Sequence, residues 1–237
     1  MDGAGDVNQR FYDALWADAQ LQSPERFNTW PLIRRLAGTS GALEVGPGLR
    51  PRLPLAHTIF IDSSRPAVRR LRAAGARVAV GDARNLPFCD SLFSVVAAFD
   101  IIEHFEDDGT VLDELGRMLA PGATFVFSVP LHASAWSEFD NLVGHCHRYE
   151  PHDLEHALAE RGLTIIESAA YGMKPASNWL TSYGMRVMAR NRTRAMRWYN
   201  YVFVPLALRF QRPLRFVPGL VDLPSVNEII AVCRRDN

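Results

Sequence analysis

Ala42-Leu43-Glu44-Val45-Gly46-Pro47-Gly48 is the stretch on which the reading of this 237-residue chain turns. Three apolar residues and one acid form a short strand that runs into two glycines flanking a proline. Glycine tolerates positive φ and carries no Cβ, so the backbone at such a turn can lie close to another group. At the end of the first strand of an open α/β sheet, that approach is where nucleotide-like ligands dock.

Working outward, short apolar strands alternate with helical patterns. Thr58 to Ile61 ends at Asp62, and Ser63-Ser64 with Pro66 starts a helix that Gly75 closes. Arg77 to Val80 ends in Gly81-Asp82, and Ser94 to Phe99 ends at Asp100. A helix over about 109–119, a turn at Pro121-Gly122 and a fifth strand from Thr124 to Val129 follow. Pro151 to Arg161 reads as a helix, Leu163 to Ile166 begins a sixth strand, and Glu228 to Cys233 makes the last. Near-continuous apolar strands alternating with helices predict a mostly parallel sheet covered on both faces. Upstream, Phe11, Leu15 and Trp16 mark one helix; Ser23-Pro24 reads as N-cap and first position of a second, carrying Phe27, Trp30 and Ile33.

The length suits one domain over 1–237, with an N-terminal helical cap (1–38) and a helical lid or insertion (172–222) before the last strand. Net charge is zero, which argues against general nucleic-acid binding. Cys89, Cys146 and Cys233 share no disulfide or zinc spacing, which with no secretory pattern at the N-terminus predicts a cytoplasmic setting. The apolar run Tyr201–Leu208 is too short to span a bilayer. From Ser168 to Val221 there is no acid but nine basic residues, with Arg186, Arg190, Arg194 and Arg197 in helical spacing. That stretch reads as a lid over the acceptor, lined by Trp179, Tyr183, Trp198 and Tyr199, or as a homodimer contact; peripheral contact with an anionic membrane ranks third.

A dinucleotide turn needs a third glycine and a helix to seat a pyrophosphate. Here Pro51 stands in the glycine position, Pro54 follows, and Asp62 comes only fourteen positions after Gly48, leaving no room for that helix. What the chain resembles instead, from about Leu43 to its last strand, is the class I, Rossmann-like S-adenosylmethionine-dependent methyltransferases. Glu44 to Gly48 matches their first motif, Asp62 the acid that holds the ribose hydroxyls, Gly81-Asp82-Ala83 the adenine segment, and Phe99-Asp100-Ile101-Ile102-Glu103-His104 the rim of the pocket. The resemblance implies a Rossmann-like sheet of about seven strands, antiparallel at its last, and S-adenosylmethionine as cofactor. It implies cofactor contacts from Glu44, Gly46, Pro47, Gly48, Asp62, Ser63, Asp82, Ala83, Phe99 and Asp100. One departure is Arg50, where the family has glycine; Arg50 or Arg52 would neutralise the methionine carboxylate, or both would be solvated.

Histidines point to the acceptor. A hydroxyl is a weak nucleophile at neutral pH and gains from a general base, and five of the seven histidines fall between His132 and His156. Trp136 to Tyr149, with Gly144-His145 and Arg148, is similar to a segment of bacterial methyltransferases that act on sugars and glycans. That similarity implies an O-methyltransferase with a sugar or oligosaccharide acceptor. Its catalytic candidates are His145, His147, Glu103 and His104, and its acceptor contacts Trp30, Trp136, Asp140, Arg148 and Tyr149. Glu103, Glu138, Asp140 and His145 are candidate ligands for Mg²⁺, against the reading that Arg148 or solvent satisfies the carboxylates. A phenolic, quinone-like or lipid-linked acceptor is the enzymatic alternative. A cofactor-binding partner subunit without catalysis is the alternative of another kind.

Overall fold

A computed structural model describes residues 3–36, 41–172 and 199–236. Eight strands form one sheet: β1 (Ala42–Val45), β2 (Thr58–Asp62), β3 (Arg77–Val80), β4 (Phe93–Phe99), β5 (Leu119–Pro130), β6 (Leu163–Ala170), β7 (Val217–Pro218) and β8 (Glu228–Arg235). Their order is β3-β2-β1-β4-β5-β8-β6-β7. The first five pair in parallel, and β8 runs antiparallel between β5 and β6. The chain steps outward from β1 in both directions, so the order reverses between β1 and β4. Above the carboxyl ends of those two strands a crevice opens, and there this architecture binds its ligands.

Side-chain alternation along the central strands sends residues to both faces. Val96 and Ala98 join a core with Val111, Leu112 and Leu115 of α4 (Asp108–Met118) and Leu154 and Leu158 of α6 (Pro151–Ala159). Val95, Ala97 and Phe99 face the other way, onto Leu32 and Ile33 of α2 (Trp30–Leu36). On that side too, Phe60 packs with Leu15 and Trp16 of α1 (Gly3–Asp18) and Leu71 of α3 (Arg65–Ala73). Each leucine so enclosed contributes roughly 1.5–3 kcal/mol over an exposed one. The caps are local chemistry: Ser64 accepts from Ala67 N at the start of α3, and Asp107 from Thr110 N before α4. A Ser137–Asp140 capping box opens α5 (Glu138–Val143).

Three expectations change. Ser23 makes no side-chain cap; Pro24–Arg26 is a single 3₁₀ turn, the chain extends at Phe27, and the helix begins at Trp30. Pro121-Gly122 lies inside β5, as an excursion between the Leu119 and Thr124 pairings with β4. β7, an eighth strand too short to show in the pattern, pairs with β6 at the sheet's edge. The arginine stripe and Trp179, Tyr183 and Trp198 lie outside the described residues. Beyond them comes a π-helical turn, Tyr199–Phe203, then α7 (Val204–Arg209), whose Leu208 packs on Phe27. No described helix is long and apolar enough to cross a membrane.

Candidate active site

The cofactor half of the crevice is built by the turn after β1. Gly46 and Gly48 both take positive φ (68° and 54°). A Cβ at Gly46 would collide with the Ile101 side chain, and one at Gly48 with the indole of Trp16. Asp62, at the end of β2, accepts from Gly48 N and Ser64 N, each at 2.7 Å. Burial pushes its carboxyl up to about 6 against the pull of those two bonds. Asp82, two residues past β3, is held by Arg84, which keeps its carboxyl below the ordinary range. Glycines stripped of side chains, an acid at the tip of β2 and a second at the tip of β3 fit a nucleoside-bearing cofactor. A carboxylate with lone pairs to spare can take a vicinal diol.

Glu44 does something else. Its carboxylate accepts from Arg52 N at 2.9 and 3.1 Å and from Leu53 N at 2.8 Å, fully enclosed. It braces the turn from below. Burial raises it to about 7. Arg52 is no solvated side chain either. Its guanidinium lies 3.7 Å over the Phe27 ring and donates to Arg50 O and to the Tyr171 hydroxyl. Arg50 stays at the turn, 5.3 Å over the Trp16 ring.

The acceptor half begins at Asp100, past β4. Asp100 is left-handed (φ 55°), a conformation that costs a non-glycine residue roughly 1–2 kcal/mol. Ser128 of β5 holds it, accepting from Asp100 N and donating its hydroxyl to Oδ1 at 2.6 Å. The bend delivers the 3₁₀ turn Ile102–His104 beneath the segment that follows α5. Cys146 N and His147 N donate to Glu103 O, pinning the two together.

At that junction His145 Nδ1 donates to Asp140 Oδ1 at 2.9 Å, which leaves Nε2 as the basic nitrogen. Nε2 faces Glu103 Oε1 at 3.8 Å. Asp140 is completely buried and saturated: Ser137 N and Oγ, His145 and the Arg148 guanidinium all donate to it. Glu103 is equally buried, and beyond its own backbone amide neither of its oxygens meets a donor among the described residues. Burial, with the charge of Asp100 added, holds its carboxyl well above the ordinary range. His104 Nδ1 donates to Gly144 O at 3.1 Å, and Tyr12 of α1 approaches Nε2 at 3.3 Å. Burial, then the neighbouring His145, pull His104 down to about 3, so it stays neutral.

Of the expected site residues, the fold brings Glu103, His104, Asp140, His145 and Arg148 together. His147 sits beside them but turns Nε2 to Glu106 O. Trp30 packs against the core beneath β4 and β5, and the Tyr149 hydroxyl is tied to Asp108 in the opposite core. Trp136 is exposed, bonded to Asn141. Ser63 is exposed at the tip of β2, while Ala83 and Phe99 belong to the core walls and Pro47 is buried in the turn. The four expected Mg²⁺ ligands do not assemble: Glu138 is exposed and Asp140 is saturated by its four donors. Two residues that sequence reasoning passed over belong here, Tyr12 and Tyr171. Tyr12, an aromatic in an N-terminal helix, looks like any core residue, and Tyr171, just past β6, stands in no motif, so no local signal marked them.

A family model described as a methyltransferase domain matches residues 17–168. "Probable tRNA methyltransferase 9B" of Bos taurus is 28% identical over 131 residues, 51% of this chain and 29% of its own length. Norajmaline N-methyltransferase of Rauvolfia serpentina is 45% identical over 63 residues, 27% of this chain and 22% of its own. The chain thus spans under a third of either curated relative. Among solved structures, phosphoethanolamine N-methyltransferase 2 of Haemonchus contortus, with phosphomonomethylethanolamine and S-adenosylhomocysteine bound, overlays with a TM-score of 0.59 at 16% identity, covering 100% of this chain and 61% of that one.

Proposed function

This chain belongs to the methyltransferase-domain family, as an S-adenosylmethionine-dependent enzyme of Rossmann-like fold, and from that premise we propose that it methylates a hydroxyl seated against Glu103 and His145. When bound, the cofactor supplies an electrophilic methyl on a sulfonium, so the protein's share of the work is to align and ready the acceptor. Asp62 would take the ribose hydroxyls, Asp82 the far rim of the adenosyl group, and the Gly46-Pro47-Gly48 backbone the near side. Arg50, beside the turn, is the cation for the methionine carboxylate; Arg52 is committed to Phe27 and Tyr171.

One observation carries the hydroxyl reading. Asp140 fixes the His145 ring so that Nε2 points at a buried carboxyl with no donor beyond its own backbone amide. A neutral amine already presents its lone pair and needs no such apparatus; an alcohol does. The 136–149 segment, through its similarity to sugar-directed enzymes, makes a sugar or oligosaccharide the first acceptor to try. A second reading, an amine acceptor, draws on the names of the N-methylating relatives, since an ammonium would also pair with Glu103.

A screen with methyl-labelled cofactor, across saccharides, phenols and amines, tests the proposal. Label on saccharide hydroxyls supports it, label on phenols alone removes the sugar, and label on amines alone overturns the hydroxyl. Cofactor binding without any acceptor turnover, together with a tight protein partner, would favour a subunit that has lost catalysis.

A further inference from the structure

A buried carboxyl with no donor beyond its own backbone amide calls for a physical reason, and the surroundings of Glu103 supply one. The two imidazoles beside it are set in the same way. His145 gives its Nδ1 proton to Asp140, which leaves its lone pair on Nε2, and His104 gives its own to Gly144 O, with the Asp100 backbone and the Tyr12 hydroxyl as its further partners. One ligand atom each from Glu103, His104 and His145 lie within 4.8 Å of one another. The rings meet nearly edge to face, centroids 4.8 Å apart.

We propose that Glu103, His104 and His145 hold a divalent first-row transition ion. Two imidazoles and one carboxylate are the donor set such ions choose, whereas Mg²⁺ asks for oxygens alone. The outer partners are those of a metal site too. Ligating histidines hand their second N–H to a carboxylate or a backbone carbonyl, which fixes ring and tautomer. Here Asp140 fills that part for His145 and is itself gripped by Arg148 and Ser137; Gly144, in the left-handed C-cap of α5, fills it for His104. Ligand atoms around one ion stand roughly 3–3.5 Å apart, so the trio needs to draw in by about an ångström. The Tyr12 hydroxyl on His104 Nε2 would give way to the ion. A positive charge there also answers the unbalanced burial of Glu103. Three protein ligands leave a position for an outside oxygen; that the oxygen is the acceptor's, made more acidic by the ion, rests on the hydroxyl reading above. The ion site does not.

The full chain, stripped with EDTA, should take up one Co²⁺, with the absorption of a mixed nitrogen–oxygen site, and Zn²⁺ should displace it. Glu103→Gln and His104→Asn should each weaken Zn²⁺ by about 100-fold or more, and Asp140→Asn by about 10- to 100-fold. Tyr12→Phe should bind as tightly as the parent or more so. Circular dichroism and S-adenosylhomocysteine binding report folding, and His145→Gln stands in should Glu103→Gln not fold. No uptake of Co²⁺ or Zn²⁺ by the parent overturns the site, as does unchanged Zn²⁺ affinity in Glu103→Gln and His104→Asn. Uptake is read without an acceptor, so a failed acceptor screen with uptake intact sinks only the hydroxyl reading. Label on hydroxyls without uptake sinks only the ion.

Discussion

Glu44 and Glu103 stand near the tips of adjacent strands, one in β1 and one just past β4, and both are all but sealed from solvent at 1% and 0% exposure. Their surroundings are opposite. Glu44 accepts three hydrogen bonds from two successive backbone amides and holds a loop in place. Glu103 accepts none from any other described residue and faces two imidazoles. A buried acid with its bonds made belongs to the fold, while one with its bonds unmade keeps free energy in reserve for something else.

The sharpest way to break this contrast is to neutralise each acid in turn. Glu103→Gln should lower kcat/KM by about 1,000-fold or more, some 4 kcal/mol of barrier, with a urea midpoint no lower than the parent's. Should Glu103→Gln unfold early while keeping its turnover, the assignment of the two acids is reversed. Asp140, a third buried acid, sharpens the scale because its bonds are made to a charge. Arg148→Ala leaves it ionised and unpaired, and should cost about 3–5 kcal/mol in chemical denaturation. Glu44→Ala orphans the amides of Arg52 and Leu53, at roughly 1–3 kcal/mol each. We expect it to lose stability on the order of 3 kcal/mol and to keep most of its turnover per folded molecule.

The pH dependence separates them further. Glu44 titrates near 4.5 in the unfolded chain and about 7 in the folded one, and Asp62 near 3.8 and about 6. Between those values the folded state binds more protons than the unfolded, so stability falls as pH rises. The slope from Glu44 should run from about pH 4.5 to 7, amount to about 3 kcal/mol, and disappear in Glu44→Gln, as read by urea midpoints across that window. A wild-type midpoint that climbs with pH through the window would contradict it. The smallest effect is at the cofactor turn. Gly48→Ala meets both the left-handed backbone and the Trp16 ring, and should weaken S-adenosylhomocysteine by about tenfold in calorimetry, near 1.4 kcal/mol.

Much of the fold was legible because its signals are local. Strand, turn residue and acid follow one another at Val45-Gly46, Ile61-Asp62 and Val80-Gly81-Asp82, and each strand forms where its apolar run stands. The helix expected after Ser23 failed because Ser-Pro starts a single 3₁₀ turn there, with no cap from the serine side chain, and the chain extends again at Phe27. At the site, Asp140 and His145 were both legible as candidates because they stand in one short segment. The isolation of Glu103 was not, since it depends on what is missing around a side chain, and spacing carries no record of that. Nor did spacing carry the partners of Glu44, the backbone amides of Arg52 and Leu53. Trp30 and Tyr149 show the limit for aromatics, whose chemistry is alike in a core and in a binding wall.

The contact between the indole of Trp16 and the bare α-carbon of Gly48 has a consequence for how this sequence can diverge. The two positions, thirty-two apart in the chain, are one heritable unit: a branched residue at 48 would need a smaller ring at 16, and a smaller ring at 16 would loosen the first helix over the turn. Homologues that have lost one member should therefore have lost the other.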